Sequence, residues 1–171
     1  MKTISIELSE KSISDAIRKI EEYKRSLNDK LVEFVEKLAS VGINVIHLNV
    51  YTEGDSDPEH RAYVIATSTG GNTAEATLFF QGKDIAFIEF GAGIHYNGSV
   101  GSAAYEKAAE MGMTIGSYGE GHGAEDRWVY FDEETGRWKT SQGTQASMPM
   151  YKADMEIQSQ VRSIAKEVFG G

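Results

Sequence analysis

The apolar residues Ile13, Ile17, Ile20, Tyr23, Leu27, Leu31, Phe34, Val35, Leu38 and Val41 follow one another mostly in steps of three and four. That spacing draws one apolar face along an α-helix. Residues 9–15 offer several N-capping side chains, and Gly42 stands where a C-terminal stop is expected. A helix over residues 13–41 has about 29 residues and a length of about 43 Å at 1.5 Å per residue. That is long for a chain of 171 residues, so a bend is expected near residues 26–29. Two uses of the stripe stand: packing on the chain's own sheet, which is the commoner outcome, and binding a partner.

Around this helix the reading is α+β. Residues 3–8 alternate as a short strand. Residues 43–51 are β-branched and apolar, which predicts a strand with His47 half-buried in its middle. Residues 62–68 read as a second strand, broken by Gly70, Gly71 and Asn72. Residues 73–81 and 85–90 flank Gly82, Lys83 and Asp84, a hairpin signal. Residues 128–131 and 137–140 form another hairpin, with Trp128, Tyr130 and Trp138 as packing partners across it. Pro149 suits the first turn of a C-terminal helix. Its stripe is Met150, Ala153, Ile157, Val161, Ile164 and Val168. The expected architecture is an antiparallel sheet of about four to six strands against a long N-terminal and a C-terminal helix, in a single domain over residues 1–171. Residues 91–127 are set apart. They are glycine-rich and poor in aliphatics, with one helical patch at about 102–111. A segment of that length reads as a mobile, functional insert.

Hydrophobic residues are 40% and charged residues 25%, a soluble globular balance. No stretch approaches the about 20 apolar residues of a membrane helix. The N-terminus alternates and lacks an apolar h-region, so no secretory signal is expected. The absence of cysteine excludes disulfides, thiolate metal sites and cysteine nucleophiles. The net charge of −9 is concentrated in residues 43–127, which carry 4 basic and 12 acidic groups. Such a surface repels phosphate backbones and speaks against sequence-specific DNA binding.

Tests for chemistry return little. His47, His60, His95 and His122 show no metal-ligand spacing. His122, in Gly-Glu-Gly-His-Gly-Ala-Glu-Asp, has acidic neighbours and is a weak metal candidate; an ordinary solvated loop is the simpler reading. No nucleophile elbow, dinucleotide fingerprint or phosphate loop with Gly-Lys-Ser/Thr occurs. Glu89 is the one notable carboxylate, because it lies inside the apolar run Phe87-Ile88-Glu89-Phe90. Alternation places it opposite Ile88, facing water. No catalytic residue and no cofactor are assigned.

Three segments in order carry a resemblance. They are Phe87-Ile88-Glu89-Phe90-Gly91-Ala92-Gly93, the 128–140 hairpin, and a stretch from Thr140 through Gly143, Thr144, Ala146, Met148, Pro149, Met150, Tyr151 and Ala153 into the last helix. This order resembles the tail-completion or head–tail joining (neck) proteins of long-tailed bacteriophages and prophages, the Hong Kong 97-like minor structural family. The resemblance implies a virion structural protein rather than an enzyme, made in the host cytoplasm. It implies a homo-oligomeric ring, often sixfold, between connector and tail-tube proteins, joined through its sheet edge and glycine-rich loop. DNA would be only passing cargo, and no membrane is involved. The assembly candidates are Phe90, Gly91 and Gly93 at the exit to the insert, Trp128, Tyr130 and Trp138 in the hairpin, and Pro149 and Met150 at the helix start. Two other readings remain: a small metal-dependent hydrolase using His122 and acidic residues of the glycine-rich segment, and a helix-mediated protein-binding module.

Overall fold

A computed structural model describes residues 5, 7–50, 60–69, 73–92, 101–114, 117, 128–141 and 143–170. The chain is α+β. Its order is α1 (Glu10–Val50), β1 (Arg61–Thr69), β2 (Thr73–Gln81), α2 (Ile85–Phe90), α3 (Glu106–Glu110), β3 (Trp128–Asp132), β4 (Arg137–Ser141) and α4 (Pro149–Phe169). The described strands form two separate two-stranded antiparallel sheets, fewer than the four to six expected in one sheet.

Two segments expected as strands are helical, and that accounts for the difference. The first is residues 43–50, which continue α1 to 41 residues, about 61 Å at 1.5 Å per residue. Helical phase places Ala39, Gly42, Ile46 and Val50 on one buried face. His47 is therefore a half-buried helix residue. Burial on that face overrides the β preference of the branched residues. Gly42 is not a stop. A Cβ there would lie 2.7 Å from Leu78 Cδ2 and 2.8 Å from Ile157 Cδ1, so its lack of side chain lets β2 and α4 close on α1. The helix is unbroken across residues 26–29, where a bend was expected. Its start is as read: the Ser9 hydroxyl oxygen accepts the Ser12 N–H at 3.3 Å.

The second segment is residues 85–90, which form α2 instead of pairing with β2. Gly82, Lys83 and Asp84 are thus a strand-to-helix link, with Asp84 in the left-handed region at φ 60°. A six-residue apolar run fits either period. Here the helical one delivers Ile88 to the core and Glu89 to α4. The hairpin is instead β1–β2, in register from Arg61 opposite Gln81 to Thr69 opposite Thr73. Of the strand expected at residues 3–8, Ser5, Glu7 and Leu8 are not in strand, and Leu8 is exposed; Thr3, Ile4 and Ile6 lie outside the described residues.

The core lies where three layers meet. Ile46, Val50 and Ala153 are buried there, and Val45, Ala62, Leu78, Phe80, Ile88 and Met150 pack against them. Helix α4 runs antiparallel to the C-terminal half of α1. Phe169 meets Phe34 at a ring separation of 5.7 Å, and Lys152 Nζ donates to Asn49 Oδ1 at 2.7 Å. Lys37 ties the far end, with Nζ 2.6 Å from Glu167 and 3.0 Å from Glu33. No described helix is long and apolar enough to cross a membrane.

Candidate functional site

Two features stand out: a buried carboxylate junction and an exposed aromatic hairpin. The junction forms because α4 starts without a cap of its own. Met148 is left-handed at φ 54° and gives no side-chain cap, and Pro149 has no N–H. The next N–H groups are open. Glu89 satisfies them from α2. Its Oε2 accepts the Met150 N–H at 2.8 Å, and its Oε1 accepts the Tyr151 N–H at 3.0 Å. Tyr105 adds a third bond, its hydroxyl donating to Oε1 at 2.9 Å. A carboxylate at a helix N-terminus is also favoured by the helix dipole.

The surroundings hold this arrangement. The Tyr105 ring stacks on Tyr151 at 4.3 Å and on Phe90 at 6.0 Å. The Ser147 N–H donates to the Ile88 carbonyl at 2.9 Å, and Ala92 and Thr144 exchange two backbone bonds at 2.8 and 2.7 Å. Gly91, at φ 79°, makes the turn from α2 to that bridge, a conformation that suits glycine. Two of the three segments behind the family resemblance, residues 87–92 and 143–153, thus fold onto each other.

Glu89 is buried, not facing water as alternation suggested. Its oxygens are engaged in bracing α4, so the geometry assigns it a structural task rather than acid–base chemistry. Burial, then the bond to Glu89, then the Glu89 charge raise the Tyr105 pKa well above the ordinary tyrosine range. The folded chain therefore holds this proton more tightly than the unfolded chain. That contribution is complete below the unfolded tyrosine pKa and is lost as pH rises past about 10. Tyr105→Phe is expected to flatten the alkaline limb of a stability–pH profile. At neutral pH it lowers stability by about 1 kcal/mol, through loss of one hydrogen bond. Urea titrations from neutral to alkaline pH check both effects.

The hairpin β3–β4 is built by its own turn. Asp132 accepts the N–H groups of Glu134 and Thr135, the Thr135 hydroxyl and the Lys139 ammonium. Lys139 first, then Thr135, pull the Asp132 carboxyl down to about 2. Gly136 supplies the positive φ of the turn. Tyr130 stands opposite Lys139 and Phe131 opposite Trp138. Trp138 is therefore one residue out of step with Tyr130 and does not pack across from it as expected. Its ring meets Phe131 edge-on at 5.5 Å. Val129, Tyr130, Phe131 and Trp138 are all exposed, Trp138 by 71%.

The remaining candidates are placed as follows. Phe90, Gly91 and Pro149 are buried in the junction, and Met150 is half-buried and lends it an N–H. Trp128 opens β3 opposite Ser141. Gly93 and His122 lie outside the described residues. Among the described residues no group of three or more His, Asp or Glu is arranged to hold a metal ion. Tyr105 and Tyr151 are not among the residues that the sequence singles out as candidates; the carboxylate in an apolar run marks Glu89 alone. Comparison with protein-family models, with curated proteins and with solved structures returns no match.

Proposed function

We propose that this chain is a structural protein of a phage virion, acting in head–tail joining or tail completion as a member of an oligomeric ring. The observation that carries the assembly reading is the β3–β4 hairpin. It has a self-braced turn, yet it leaves Val129, Tyr130, Phe131 and Trp138 exposed. Val129, Phe131 and Trp138 share one face of it, with Tyr130 on the other, and exposed aromatics of this kind mark an interaction surface. The virion assignment rests on the ordered motifs, two of which meet at Glu89. The protein is then a body of α1, α4 and β1–β2 that presents a preformed hairpin to its neighbour. A ring needs a heterologous contact, with a different patch on each side. The net negative charge of residues 43–127 would keep passing DNA from sticking.

The direct test is a hairpin variant. Tyr130→Ser with Trp138→Ser removes two exposed rings without touching the core. The expected result is loss of ring-sized oligomers in electron micrographs and of infectious particles on complementation, with the far-UV spectrum unchanged. Full complementation by this variant would overturn the assembly role of the hairpin.

A further inference from the structure

The N-terminal half of α1 carries an apolar seam that nothing among the described residues covers. In the C-terminal half the seam is filled by α4, which ends where Phe169 meets Phe34. Beyond that point it continues through Leu27, Tyr23, Ile20, Ile17 and Ile13, and Ile17, Ile20 and Tyr23 are each more than half exposed. Its repeat is a heptad. Ile13, Ile20, Leu27, Phe34 and Val41 fall at one core position, and Ile17, Lys24, Leu31, Leu38 and Val45 at the other. One charged residue, Lys24, interrupts it.

We propose that this seam is covered by the same segment of a second copy, running antiparallel across a two-fold axis. Three observations select that occupant. The seam is continuous with the α1–α4 interface, so what fits it is another antiparallel helix. The heptad allows few registers, and one sets Ile13 against Leu31, Ile17 against Leu27 and Ile20 against Lys24. In that register the second copy's helix begins opposite Phe34, where α4 stops. A shift of one heptad one way drives it into α4; the other way leaves Leu27 bare. The charges agree as well. Lys24 comes beside Glu21 of the second copy, and the two Tyr23 rings flank the axis. A parallel copy would put Lys24 on Lys24 and run on into the stretch that α4 occupies. The contact is isologous, so it differs from the heterologous ring contact and does not rest on the virion reading.

The chain lacks cysteine, so engineered pairs report cleanly. In sedimentation equilibrium the full chain is expected at twice its monomer mass, or at an even multiple. Ile17→Glu with Ile20→Glu is expected to halve that mass while helicity stays unchanged, since both side chains face solvent in the single copy. Under mild oxidation, Ile17→Cys and Leu27→Cys chains should join to each other when mixed, and Ile17→Cys alone should not. A monomer at every concentration, an unaltered mass in the double variant, or a disulfide dimer of Ile17→Cys alone would each overturn the proposal. A virion that contains the protein while the pure chain stays monomeric would sink this inference and leave the proposed function standing.

Discussion

Glu89→Ala lowers stability by about 3 kcal/mol, because three hydrogen bonds to a charged acceptor are lost and two backbone N–H groups are left buried. In a chain of this size that shift reads as a melting point lower by about 6–12 °C. Glu89→Gln keeps one acceptor oxygen in place and removes the charge, so its loss is about half as large, on the order of 1–2 kcal/mol. The order of the two variants carries the test. Thermal and urea denaturation measure it. Equal, near-zero effects would mean that Glu89 does not cap α4. The damage should also be local at first. Amide exchange at Met150 and Tyr151 rises before exchange in α1, because the first turn of α4 frays when its acceptor is gone.

The second large effect is in the core. Ile46 is fully buried where α1, β2 and α4 meet. Ile46→Ala is expected to cost about 3–4 kcal/mol, the transfer term plus the cavity left behind. Leu48, two residues on, is 68% exposed, and Leu48→Ala should stay within about 0.5 kcal/mol. The pair discriminates between the helix observed over residues 43–50 and the strand that their composition suggests. In a strand, residues 46 and 48 share a face and would be equally sensitive. Large losses at both positions, in the same denaturation series, would contradict the helix.

These two cases show what was legible in the residues and what was not. The long N-terminal helix, the helix opened by Pro149, the strands at 62–68 and 73–81 and the hairpin at 128–141 follow from periodicity, capping and turn chemistry, which are local; the pairing of the first two strands with each other does not, because the hairpin signal falls on Gly82, Lys83 and Asp84. Residues 43–50 and 85–90 do not. Both are short apolar runs rich in branched or aromatic residues, and their state is decided by which neighbour buries them. Gly42 misleads for the same reason. A glycine at the end of an apolar stripe resembles a stop until Leu78 and Ile157 are placed against it. The carboxylate junction was half legible. An acid inside an apolar run is anomalous in sequence, but the N–H groups that it serves lie some sixty residues downstream. Tyr105 gives no local signal, since its role comes from a bond to Glu89 and from stacking on Tyr151 and Phe90, all distant in sequence. The hairpin was legible as a hairpin. Its exposure was not, because aromatic residues in a short strand pair usually signal a core.

The central claim, that this is a virion structural protein, is tested most directly by quantitative mass spectrometry of purified particles induced from the source strain. The account predicts peptides of this chain at a low, fixed copy number relative to the capsid protein, in full particles and in isolated tails or connectors. Particles that form normally and reproducibly lack the chain would contradict it.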